Sequence, residues 1–242
     1  MASSVLTTSP GFIAALCFLL FTGGGALAQL WKLTVRTRAF REGVLSQDHV
    51  CDGLHPVREM WSFSAFTLFA LSGLTRSQTD YFLLLSRVPV IALATGILWY
   101  LRLHRQHRAA TFFFLALVSD VIVLALLLFV LAGKGSTLTA FSGVVDGLLS
   151  VVSVCLFYGK TLQARTMFRT ERSQAVSYLR EFGVSIKDLT GLWYSVSVGS
   201  ELLWVGVTHV LSFASSMLIA FVKFVLEAPQ RMKSTGMLKT MR

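Results

Sequence analysis

The architecture turns on residues 189–226, LTGLWYSVSVGSELLWVGVTHVLSFASSMLIAFVKFVL, an apolar stretch whose only charges are Glu201 and Lys223. About 20 helical residues cross the hydrocarbon core of a bilayer. This stretch is too long for one crossing, even tilted. It is either a helical hairpin or a single span with an interfacial extension, and the charges of the rest of the chain choose between them. Upstream lie shorter apolar runs at residues 11–31, 60–74, 81–101, 109–132 and 138–159. With a hairpin at the end, all of the 22 basic residues fall on one side except Arg76 and Lys134 opposite and Arg87 within a span. A single crossing would move Lys223, Arg231, Lys233, Lys239 and Arg242 to the far side. Lys and Arg gather on the cytoplasmic face of membrane proteins. The charges therefore favour the hairpin, and with it seven spans, N-terminus out and C-terminus in. On length alone, the turn of the hairpin is expected near Thr208–Ser212.

Composition agrees with a membrane setting. The chain has 242 residues, 54% hydrophobic and only 14% charged, where a soluble domain carries about a quarter charged residues. Its net charge of +10 does not suggest nucleic acid as a partner, because the basic residues flank apolar runs and form no continuous face. Three cysteines, Cys17, Cys51 and Cys155, give no disulfide framework. The first run ends Ala26-Leu27-Ala28, which mimics a signal-peptidase site. No Lys or Arg precedes it, so the run is read as a retained span.

The chain also resembles itself. Ala28-Gln29-Leu30-Trp31-Lys32 is followed by Arg36-Thr37-Arg38, and Leu162-Gln163-Ala164-Arg165 by Arg169-Thr170-Glu171-Arg172. Each copy then leads to a tryptophan opening the next span, Trp61 or Trp193, with two further spans behind it. The expected plan is one membrane domain, residues 1–242. A first three-helix repeat covers residues 11–101, a linker helix 109–132 and a second repeat 138–226, with a basic cytoplasmic tail at 227–242. One linker crossing makes the two repeats parallel, and such repeats place a ligand site at their interface near mid-membrane.

This 3+1+3 all-α plan, with Gln29 and Gln163 ending the first helix of each repeat, resembles the PQ-loop superfamily, which includes the SWEET sugar transporters. The resemblance covers nearly the whole chain. In that family the glutamine follows proline, where this chain has Ala28 and Leu162. What the resemblance implies is a small-solute transporter working by alternating access between the repeats.

Ionisable groups inside spans cost at least about 2.5–3.5 kcal/mol each on insertion scales and need a partner or a wet cavity. Arg87 in span three and Asp146 in span five lie at similar depth, and are expected to pair between the repeats or to gate a path. Asp120, halfway along the linker helix, suits a helix–helix hydrogen bond or proton coupling. Glu201 is a deep carboxylate of span six or, if the helix breaks early, a loop residue. Together with Gln29 and Gln163, these are the cavity or gate candidates. Residues 48–55 hold Asp, His and Cys without zinc-ligand spacing and read as a turn-rich loop. Residues 173–187 read as an amphipathic helix on the cytoplasmic surface. No nucleophile–base, phosphate-loop or dinucleotide motif occurs, so neither catalysis, a cofactor nor a metal is expected.

A non-transporting alternative stays open: a scaffold, complex subunit or receptor whose basic loops bind partners or anionic lipid. The lack of asparagine and of prolines in the first two helices of each repeat favours it. Both readings have the bilayer as a partner and allow a homo-oligomer or a membrane-complex subunit.

Overall fold

A helix satisfies its own amide groups, which is why apolar segments in lipid fold as helices. The structure, a computed structural model, describes residues 9–75, 81–104, 108–130, 135–198 and 203–240. Among them every regular element is helical and no strand occurs. Helix α1 is a continuous run of three parts: Ser9–Cys17, a π-helical segment Phe18–Gly23, and Gly24–Arg41. A single turn, Gln47–Val50, precedes α2 (Pro56–Thr75), α3 (Tyr81–His104) and α4 (Arg108–Phe129). A 3-10 segment, Gly135–Phe141, leads into α5 (Ser142–Thr170), followed by α6 (Tyr178–Val198) and α7 (Leu203–Thr240).

Among the described residues four stretches are long and apolar enough to cross a membrane: Ala15–Arg41, Ala109–Phe129, Leu138–Thr170 and Gly206–Ala228. The distribution of side chains is consistent with a membrane setting. Val121 and Leu128 of α4 and Val154 of α5 are exposed at 67%, 59% and 62%, while Arg58, Lys160 and Glu181 are buried at 1%, 2% and 0%.

The packing order is reciprocal. Helix α1 lies against α3 and α6, α5 against α7 and α2, α2 against α3, and α6 against α7, while α4 covers α2 and α3. The first helix of one group thus meets the second helix of the other, twice. Glycine permits both crossings. A Cβ on Gly25 would lie 2.8 Å from Cα of Arg180, and one on Gly159 would lie 3.0 Å from Cα of Arg58. Around these crossings Leu33, Phe63, Leu98, Leu101 and Met167 form part of one apolar core.

Three expectations are corrected. Thr208–Ser212 is not a turn but lies inside α7, whose described part begins at Leu203; length alone misplaced the break. Residues 173–187 do not make a surface helix. From Tyr178 they are the start of α6, and its polar face, with Arg180, Glu181 and Lys187, points inward. The periodicity was that of an amphipathic helix, but the polar side meets other charges rather than water. Finally, Arg58, Lys160, Arg180, Lys187 and Lys223 are buried, so they are interior groups rather than headgroup anchors.

Neighbouring glycines separate packing from propensity. A Cβ on Gly24 would meet nothing within 4 Å, so Gly24→Ala is expected to be neutral or to stabilise by up to about 1 kcal/mol. Gly25→Ala and Gly159→Ala are expected to cost about 1–3 kcal/mol through overpacking. Thermal unfolding of the detergent-solubilised chain measures the difference, and equal effects at positions 24 and 25 would contradict this packing.

Candidate functional site

Helices α2 and α6 begin alike. Counting from Pro56 and from Tyr178, the third residue of each is arginine and the fourth is glutamate: Arg58-Glu59 and Arg180-Glu181. Pro56 suits a first helical position, where its missing N–H is not needed, and a glutamate in the first turn is favoured by the helix dipole. The four side chains exchange partners between the helices. Arg180 donates through both terminal nitrogens to Glu59, Nη1 to Oε1 at 2.8 Å and Nη2 to Oε2 at 2.5 Å. Arg58 Nη2 donates to Glu181 Oε1 at 2.7 Å. Arg58 Nη1 also lies 3.5 Å from Glu59, which closes the quartet. None of the four is more than 5% exposed.

The glutamines complete the frame. Gln163 Oε1 accepts from Arg58 Nη1 at 3.3 Å. Gln29 holds the strand of chain entering α6: its Nε2 donates to the Ala175 carbonyl at 2.7 Å, and its Oε1 accepts from the Ser177 amide at 2.9 Å. The connections before α2 and α6 also touch. The Ala175 amide donates to the Asp52 carbonyl at 3.1 Å, and Arg172 lies 3.6 Å from the Asp52 carboxylate. Gly53, at φ +79°, makes room, since a Cβ there would sit 2.8 Å from the Arg172 carbonyl.

More charge lies deeper along α5, α6 and α7. Asp188 pairs with Lys187 and accepts from His209 Nδ1 at 2.9 Å. His209 stacks on Phe69 with centroids 6.2 Å apart. Lys160 donates to the Ser212 carbonyl at 2.9 Å, to Ser212 Oγ at 2.8 Å and to Ser216 Oγ at 2.6 Å. A small, partly open cavity of about 30 Å³ lies among these groups, lined on its polar side by Thr22, Arg58, Ser62, Lys160, Arg180, Lys187 and Ser212. That volume holds one or two water-sized groups.

Of the residues singled out from the sequence, Gln29 and Gln163 belong to this network. Arg87 and Asp146 are not brought together. The Arg87 guanidinium lies 3.7 Å over the Phe18 ring and donates to Ser86 at 2.5 Å, whereas Asp146 is exposed on α5 and accepts from Ser72 at 3.1 Å. Equal depth put the two at one level, but the helices turn them to different neighbours. Asp120 accepts from Thr95 at 2.8 Å and joins α4 to α3, away from the cavity. Glu201 lies outside the described residues. Among the described residues no group of three or more His, Cys, Asp and Glu side chains is placed to hold a metal ion.

The quartet itself was missed by the sequence reading, although its signal was present. Gly-x-x-x-Gln occurs twice, at Gly25–Gln29 and Gly159–Gln163, and each is followed by an Arg-Glu dipeptide. The dipeptides stand at different distances from their glutamines, Arg58 29 residues after Gln29 and Arg180 17 residues after Gln163, so equal spacing does not reveal them. Trp61 stands in the first turns of α2 and Trp193 far along α6. The chain matches no protein-family model and no curated protein.

Removing one partner of a buried pair leaves a bare charge, at a cost of about 3–5 kcal/mol. Glu181→Gln and Glu59→Gln are expected to destabilise by that order. Asp146→Asn, at an exposed group bound to a serine, should cost under about 1 kcal/mol. Chemical or thermal unfolding in micelles gives the comparison; a milder effect at Glu181 than at Asp146 would contradict the network's role.

Proposed function

We propose that the protein is a small-solute membrane transporter of PQ-loop or SWEET type. In this reading it has seven spans: repeats α1–α3 and α5–α7, parallel to each other, with α4 as linker, N-terminus outside and C-terminus in the cytoplasm. The observation that carries it is the buried, cross-paired network with its small cavity, made by residues of both helix groups. A static bundle gains little from buried ion pairs, since apolar residues of similar volume often pack there at least as stably. Charges kept at that place suit a path that opens and closes by exchanging partners, as rocking of one repeat against the other would require. The polar lining moves accordingly from Arg87, Asp146 and Glu201 to Arg58, Lys160, Arg180 and Lys187, with Gln29 and Gln163 as the frame.

A second reading, a scaffold or complex subunit, draws on one further observation. Helices α1 and α5 both end in exposed arginines, Arg38 and Arg41 on one and Arg165 and Arg169 on the other. These four could hold anionic lipid or an acidic partner.

Reconstitution into liposomes with a broad uptake screen separates the two. Transport predicts saturable uptake of at least one small solute, lost on neutralising Arg58 or Arg180 in variants that still fold. A complete screen with no uptake by well-folded protein would overturn it. Accessibility labelling of cysteines placed at positions 35 and 240 should report the same compartment; opposite compartments would overturn the threading.

A further inference from the structure

Three of the four cations around the cavity face a carboxylate: Arg58 meets Glu181, Arg180 meets Glu59 and Lys187 meets Asp188. Lys160 does not. All three of its hydrogen bonds go to neutral oxygens of Ser212 and Ser216, and it makes no ion pair among the described residues. The four cations line the cavity and the three carboxylates do not. Within this cluster the formal charges therefore leave one positive charge in surplus. Two lining groups also point to a missing partner: Arg58 Nε and Thr22 Oγ1 are buried with no hydrogen-bond partner, on residues only 1% and 2% exposed.

An unmatched cation in a desolvated interior is costly, and the cost is relieved by a counter-charge placed next to it. Each carboxylate present is already paired with another cation, although Glu181 Oε2 and Asp188 Oδ2 accept no hydrogen bond. The empty space beside Lys160 has the size of one compact group, about 30 Å³, walled by cationic and hydroxyl donors and otherwise by apolar Ala26, Phe66, Ala94, Ile97, Leu156 and Val184. Such a wall repels cations, and the side-chain acceptors it offers a neutral polyol are the hydroxyls of Thr22, Ser62 and Ser212.

We propose that this cavity is a binding site for a single small, singly charged anionic group, coordinated by Lys160, Arg58 Nε and Thr22. The group is either a free inorganic anion of chloride or nitrate size or the carboxylate of an organic acid. For its role in the cell this rests on the transport reading; the binding itself does not require transport. It narrows the solute class to anions and gives Lys160 the part of the charge left open for the ligand.

The test uses the full chain in detergent, in gluconate buffer at constant ionic strength, titrated with sodium chloride, nitrate, formate and, as an oversized dianion, sulfate. Binding is followed by thermal unfolding and by isothermal titration calorimetry. Saturable stabilisation by chloride and nitrate supports a free inorganic anion, saturable stabilisation by formate alone supports a carboxylate, and sulfate should do nothing. Lys160→Met removes the surplus charge and Ala26→Leu fills the void without touching a charge. Each should weaken binding at least roughly tenfold, the loss expected for a charge-assisted contact, and the second variant decides the matter if the first does not fold. No saturable binding in the wild type, or unchanged binding in an Ala26→Leu variant with native circular dichroism, would overturn the site. Binding without any uptake by proteoliposomes would support the anion site while removing the transport reading.

Discussion

A buried guanidinium is costly without a counter-charge or acceptors, and here each of two arginines finds its carboxylate on the other helix. Arg58 of α2 reaches Glu181 of α6, and Arg180 of α6 reaches Glu59 of α2. That requirement orders much around it. The starts of α2 and α6 must lie side by side, so the chain entering each must be tied down, and Gln29 does this for α6. Helices α1 and α5 must then pass close to the arginine backbones, which only Gly25 and Gly159 allow. One electrostatic demand thereby fixes two crossings, two turns and the position of both glutamines.

Desolvation sets the energetics of this arrangement. In a low-dielectric interior each pair is strong against the loss of one partner but weak against replacement of both by apolar groups. The network consequently holds the bundle in one register without making it much more stable. In the transport reading that balance is useful, because a swing of one helix group breaks both cross-pairs together and the freed charges can be taken up by solute or water. Lys160 is the cation of the cluster that binds serine oxygens rather than a carboxylate.

Much of the fold could be read from the chain. Long apolar runs between basic clusters marked the helices, and the duplicated glutamine pattern marked two positions that meet the network. Side-chain orientation could not be read in the same way. Arg180, Glu181 and Lys187 have the same spacing whether their helix floats on a membrane surface or turns its polar face into a charged core. Arg87 and Asp146 share a depth but not a direction, since depth follows from counting residues and direction from rotation about each helix. Charge counting had a related blind spot: Arg58 and Lys160 stand near span ends, where arginine and lysine normally meet headgroups, and only packing reveals that they point inward. The Arg-Glu dipeptides carried the missing information, but a two-residue match gains meaning only when both copies are seen to touch.

The cross-pairing is tested most directly by a double-mutant cycle on Glu59 and Arg180. Glu59→Gln, Arg180→Gln and the double variant would be compared by unfolding in micelles. Joined as described, the two residues should show a coupling energy above roughly 1.5 kcal/mol, with the double variant far less damaged than the sum of the singles. Strict additivity would mean that the two side chains do not meet, and the reciprocal arrangement of α2 and α6 would fall with them.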